Sequence, residues 1–207
     1  MKSIEEIIGE VTLIGQTPDL IIRAKIPDRI FDEIKGWVEP CRAIKDDEYA
    51  ALLYHNNAGT NHNSYQIGIP RRLMDNSLSF GYIIRFGELF LTIANLAPKD
   101  KLQSGYRRMI HMRNHQGHFD GYDAWLNFTY KGDDNPVHSH AGHLSGIIYI
   151  KDEDKQPTHF PDINYTHHPE EGEILLFSSH VRHYVDVKQT ESERITSSFN
   201  LDAVFYQ

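Results

Sequence analysis

The sequence predicts a mainly β protein with its helices in the N-terminal half, and two observations carry that expectation. From Tyr122 onward, short β-branched or aromatic runs are separated by Gly, Pro, Asn and Asp. That is the pattern of an all-β barrel or sandwich and not of βαβ units. Before that point apolar residues recur every three to four positions, the period of a helix with one buried face. In chain order, Asp19 to Ile26 has strand character. Pro27-Asp28 opens a helix carrying Ile30, Phe31, Ile34 and Val38, expected to stop near Pro40. A second helix is expected over Asp46 to Tyr54, and Asn56 to Asn63 is a polar loop. Pro70 precedes one long helical run from Leu73 through Phe86 to Ile93, ended by Pro98. The expected strands are Tyr122–Tyr130, Ser145–Lys151, Glu173–Phe177, Tyr184–Val187 and Ile195–Phe205, with helices packed on this β core.

The chain has 207 residues, enough for one domain with a proper hydrophobic core. Twenty-one basic against 29 acidic residues leave a net charge of −8, which argues against general nucleic-acid binding. Arg107, Arg108 and Arg113 form a local basic patch against that acidic balance. Cys41, the single cysteine, excludes an internal disulfide and fits a reducing compartment. No apolar run approaches membrane-spanning length, and the acidic start MKSIEEIIGE is not a secretory signal, so a cytoplasmic location is expected. The helix around Phe86 to Ile93 is apolar enough to pack between subunits of a homo-oligomer.

Thirteen histidines are the outstanding count. Histidine is the commonest metal ligand and acid–base group near neutral pH. In the segment Asn135-Pro136-Val137-His138-Ser139-His140, residues i and i+2 of a strand share a face, so His138 and His140 are delivered to one point. His183 opens a later short strand and completes a set of three. Three ligands leave open positions for substrate and dioxygen. Further on, Arg194, Thr196, Ser198 and Asn200 alternate onto one face, with Ile195, Phe199 and Leu201 on the other. A polar inward face implies a lined cavity, and the arginine fork suits a carboxylate.

These residues resemble the 2-oxoglutarate/iron(II)-dependent dioxygenases, in particular the small bacterial and phage branch related to prolyl 4-hydroxylases. The resemblance covers roughly residues 120–202. It rests on Trp125-Leu126-Asn127, His138-Ser139-His140, Leu144 to Tyr149, Gly172 to Phe177, His183, and Arg194 to Asn200. It implies a double-stranded β-helix, or jelly-roll, in one oxygenase domain: residues 1–104 as an α/β supporting part and 105–207 as the core. It implies Fe(II) held by His138 and His183, and 2-oxoglutarate and O2 as co-reactants. The far carboxylate of 2-oxoglutarate falls to Arg194 with Thr196, and Asn127 and Tyr149 bond the cosubstrate from the same cavity. The reaction implied is C–H hydroxylation of a small molecule, prolyl residue or other peptide substrate, releasing succinate and CO2. Most relatives place an acidic residue where this chain has His140, so the resemblance implies a three-histidine site with one negative charge fewer.

A competing reading is a cupin-type metal enzyme that uses no 2-oxoglutarate. Gly132 followed after five residues by His138-Ser139-His140 fits a first cupin motif, but Leu144 and Ser145 occupy its glutamate region. Arg194 is unexplained by that reading. A third is a binding module without catalysis. Of the other histidines, His111, His115 and His118 belong to a strand Tyr106–Met112 and a following loop, and His143 to a surface position beside the site. His159, His167 and His168 fall in a connection that covers the substrate. Lys151 to Lys155 is expected to be a solvated turn.

Overall fold

A computed structural model describes residues 10–47, 50, 64–94, 107–114 and 121–206. The strands are β1 Val11–Ile14, β2 Ile21–Lys25, β3 Tyr65–Pro70, β4 Arg107–Met112, β5 Gly121–Thr129 and β6 Asn135–His138. They continue with β7 Leu144–Lys151, β8 Thr158–Phe160, β9 Tyr165–His167, β10 Glu173–Ser178, β11 His183–Val185 and β12 Arg194–Tyr206. The helices are α1 Asp28–Lys35, α2 Val38–Asp46, α3 Arg71–Met74 and α4 Leu78–Ile93. An eight-stranded sheet runs β1-β2-β10-β7-β12-β5-β3, with β4 paired to the C-terminal half of β12. A four-stranded sheet runs β6-β11-β8-β9, and every pairing is antiparallel. This is the mainly β jelly-roll architecture expected.

Strand alternation sorts the core into two layers. One face of the large sheet, with Ile148, Ile174, Leu176, Ile195, Phe199 and Leu201, packs against helical Ile34, Cys41, Phe86 and Phe90. The opposite face, with Ile21, Ile147, Tyr149, Leu175 and Phe177, meets Phe160 of the small sheet. The polar row Arg194, Thr196, Ser198 and Asn200 shares the second face by parity.

Several expectations need correction. The strand expected at Asp19 to Ile26 is β2, and the N-terminal part adds β1 and β3 to the large sheet, two strands the sequence reading did not place. Pro40 does not end the helical region. It lies in the first turn of α2, where its missing N–H leaves no intrahelical bond unmade. The expected second helix and the Asn56–Asn63 loop fall mostly or wholly outside the described residues. The long helical run is broken: Asn76 takes φ +60° and Ser77 caps α4, its Oγ accepting from the Phe80 N–H at 3.0 Å. Phe86 and Phe90 of α4 are buried in the protein's own core. The connection containing His159 and His167 supplies β8 and β9 of the small sheet.

Candidate functional site

The two sheets bring His138, His140 and His183 together. His138 and His183 are direct cross-strand partners on β6 and β11. The H-x-H is not one strand, because β6 ends at His138. His140 instead lies in the following turn, where its N–H donates to the Ser179 carbonyl at 2.9 Å. The Ser179 N–H in turn donates to the His143 carbonyl at 3.1 Å, and the Ser145 and Ser179 hydroxyls lie 2.9 Å apart. The turn therefore does what strand parity was expected to do. One ring nitrogen from each of the three histidines lies within 4.8 Å of the others. His140 Nε2 and His183 Nε2 are 3.3 Å apart.

This geometry suits a metal ion. His138 Nδ1 lies 2.7 Å from the Pro136 carbonyl and His183 Nδ1 lies 3.2 Å from the Val181 carbonyl. Such contacts make Nδ1 the N–H donor and leave the Nε2 lone pair for a cation. Two imidazole nitrogens bound at right angles to one ion stand about 3 Å apart, given metal–nitrogen bonds of about 2.1 Å. Burial holds the His138 pKa below the ordinary histidine value against the opposing Pro136 contact, which favours the neutral, ligating form. Phe160 and Phe177 pack on the His183 ring, and Trp125 lies 5.7 Å from His140 between ring centroids. These apolar walls limit water beside the histidines.

Along the second face of the large sheet, the polar row of β12 is hydrogen-bonded to its neighbours. Thr196 stands opposite Asn127 on β5 and Tyr149 on β7. Asn127 Nδ2 donates to Thr196 Oγ1 and Ser198 Oγ, both at 3.1 Å, and its Oδ1 accepts from Trp125 Nε1 at 3.1 Å. The Tyr149 hydroxyl donates to Thr158 Oγ1 at 2.9 Å, and burial pushes its pKa upward. Thus the four residues assigned to one cavity, Asn127, Tyr149, Arg194 and Thr196, are neighbours across adjacent strands.

Arg194 is 4% exposed and already has an anion beside it. Its Nε donates to Asp152 Oδ2 at 2.8 Å and its Nη2 reaches Thr158 Oγ1 at 3.4 Å. Its guanidinium carbon lies 5.6 Å from the Tyr149 ring centre. Nη1 makes no hydrogen bond among the described residues. Asp152 corrects the expectation of a solvated turn at Lys151–Lys155, since its side chain is wholly buried. In the same turn Asp154 accepts from Lys188, Thr190 and Ser192, which ties it to the segment leading into β12. Sequence reasoning missed Asp152 because it lies just past the end of β7, beyond strand parity. A buried arginine's need for a counterion was the available signal.

The other candidate positions have partners of their own, and His167 also packs beside Tyr149, with ring centroids 5.4 Å apart. His143 is exposed beside Asp202, and His159 pairs with Asp186. His167 is buried 3.1 Å from Glu173. His111 lies on β4, as expected, while His115 and His118 lie outside the described residues. Arg113 lies between Asp123 and Asp202, so its charge is compensated.

Two solved structures share the fold. One is a viral collagen prolyl hydroxylase from Paramecium bursaria Chlorella virus-1 in a 2-oxoglutarate complex, at 11% identity and TM-score 0.52, covering 87% of this chain and 94% of that one. The other is a Pseudomonas putida prolyl-4-hydroxylase, at 15% identity and TM-score 0.51, covering 87% of this chain and 91% of that one. A comparison with curated protein sequences gives no match. Residues 153–200, which include His183 and Arg194, match a family model described as "Putative 2OG-Fe(II) oxygenase". The jelly-roll is thus shared with prolyl hydroxylases, and the matched segment is similar to the 2-oxoglutarate/iron(II)-dependent oxygenases. The description of that family names 2-oxoglutarate and Fe(II), and the viral neighbour was solved with 2-oxoglutarate bound. Among the described residues no helix is long and apolar enough to cross a membrane.

Proposed function

We propose that the protein binds Fe(II) through His138, His140 and His183 and hydroxylates an unactivated C–H of a prolyl residue, another peptide position or a free amino acid. The observation that carries this reading is the convergence of three imidazole nitrogens within 4.8 Å of one another. Iron held by the three histidines would supply O2 activation, with O2 as the oxidant and 2-oxoglutarate as the two-electron co-reductant that leaves as succinate and CO2. The chain's own residues position and exclude. The Pro136 and Val181 carbonyls fix the ring orientation of two histidines. Arg194 offers Nη1 to the far carboxylate of 2-oxoglutarate, and Thr196, Asn127 and Tyr149 line the path between. Phe160, Phe177 and Trp125 keep water from the histidines.

One observation favours a second reading. Asp152 neutralises Arg194 within the protein, as expected if the site is a three-histidine metal enzyme that uses no 2-oxoglutarate. Anaerobic titration separates the two. Protein with one equivalent of Fe(II) should develop a weak visible charge-transfer band on adding 2-oxoglutarate. Iron binding without any band would favour the second reading.

A further inference from the structure

Asp152 has no part in the function proposed above, yet it is the buried group nearest the Arg194 charge. It is held from several directions. Its Oδ1 accepts from the Gln156 N–H at 3.1 Å, its carbonyl accepts from the Lys155 N–H at 3.1 Å, and its own N–H donates to Glu171 Oε1 at 3.3 Å. The turn thus holds the carboxylate through contacts that do not involve Arg194. Its Oδ2 then takes only Nε, at the root of the guanidinium fork. Thr158 takes Nη2, and Tyr149 supports the guanidinium while its hydroxyl orients Thr158. A planar fork restrained at Nε and Nη2 has one orientation, so the direction of its remaining donor Nη1 is set.

We infer that Asp152 is a positioning residue for the cosubstrate: it acts through Arg194, aiming Nη1 at the far carboxylate of a 2-oxo diacid. This rests on the reading that Arg194 receives that carboxylate. Two other roles for Asp152 predict different outcomes. As a bare charge near a bound dianion it would repel the ligand, so removing it would tighten binding. As a purely structural group its loss would weaken every ligand alike.

The test compares 2-oxoglutarate with 2-oxopentanoate, which has the same chain length and lacks the second carboxylate. Each is titrated anaerobically into Fe(II)-loaded protein, reading the charge-transfer band as an equilibrium affinity. Asp152→Asn should weaken 2-oxoglutarate by about tenfold, as expected for a lost charge-assisted orientation. It should leave 2-oxopentanoate within about twofold, since that ligand makes no use of the fork. Thr158→Val removes the other restraint, leaves the buried ion pair intact and should give the same selective loss, so the inference stays testable if the Asp152 variant folds poorly. Equal weakening of both ligands, or tighter 2-oxoglutarate binding, overturns the positioning role. If the wild-type protein itself does not prefer 2-oxoglutarate, the assignment of Arg194 has failed, and the role of Asp152 falls with it.

Discussion

Gly146→Ala tests the packing that holds the cavity wall in place. Gly146 lies on β7 opposite Leu176 of β10 and Phe199 of β12. A Cβ added there would sit 2.0 Å from Cζ, 2.4 Å from Cε2 and 2.6 Å from Cε1 of Phe199. Carbon atoms in contact stand about 3.5–4.0 Å apart, so the ring must retreat by about 1.5 Å. Phe199 is 1% exposed and packed in the helix-side core, with no space to enter. Overpacking of this kind costs about 3 kcal/mol, at the upper end for an added methyl. For a protein of this size that lowers Tm by about 6–12 °C. Gly81→Ala is the matched control. Its Cβ would meet nothing within 4 Å on α4, and an alanine in a helix is favoured by about 1 kcal/mol, so Tm should rise by about 2–4 °C. Thermal and urea unfolding of both variants provides the measurement. A Gly146→Ala protein that melts within about 1 °C of wild type would refute the described contact between β7 and Phe199.

Three further outcomes follow from other parts of the structure. Ser77→Ala removes the cap of α4 and should cost about 1 kcal/mol in urea unfolding, whereas an unchanged midpoint would show that the cap contributes nothing. The Arg42 guanidinium donates to both carboxylate oxygens of Glu193, at 2.7 and 2.9 Å, and holds the Glu193 pKa below its ordinary value. A depressed carboxylate stabilises the fold above its unfolded value of about 4.3 and loses that stabilisation as pH falls through the folded value. Glu193→Gln should therefore be less stable than wild type at pH 7, with the gap narrowing steadily below about pH 4.3 in pH-dependent unfolding curves; a gap constant with pH would count against the ion pair. Finally, Fe(II) or a redox-inert divalent substitute should raise Tm, and a chelator should reverse the rise, because only the folded chain gathers the three histidines. No shift in the wild-type protein would contradict a preformed metal site.

Much of this fold was legible because strand alternation survives burial. The row Arg194, Thr196, Ser198, Asn200 against Ile195, Phe199, Leu201 separates in the structure as the sequence separates it. The five strands named for the second half lie within a residue or two of expectation, while β8 and β9 fall in a stretch read as a connection. Short strands whose register is set by distant partners were not legible. Val11–Ile14 and Tyr65–Pro70 acquire their state only by pairing with β2 and β5. The break at Asn76 was hidden because the apolar period continues across it. In the site, the residues that converge were visible from the sequence, but the means of convergence differs for His140, which a turn delivers and not a strand. Asp152 was invisible for a different reason. Its burial follows from a contact 42 positions away, and nothing in the acidic run Lys151–Lys155 distinguishes one carboxylate that meets an arginine from its solvated neighbours.

The decisive observation is succinate formation. Wild-type protein supplied with Fe(II), 2-oxoglutarate and O2 should produce succinate, even slowly and without a second substrate. His138→Ala, His140→Ala and His183→Ala should each abolish it while retaining the wild-type fold by circular dichroism. Succinate formed undiminished by the His140 variant would contradict the three-histidine centre, and none formed by iron-loaded wild type would contradict 2-oxoglutarate as the cosubstrate of this protein.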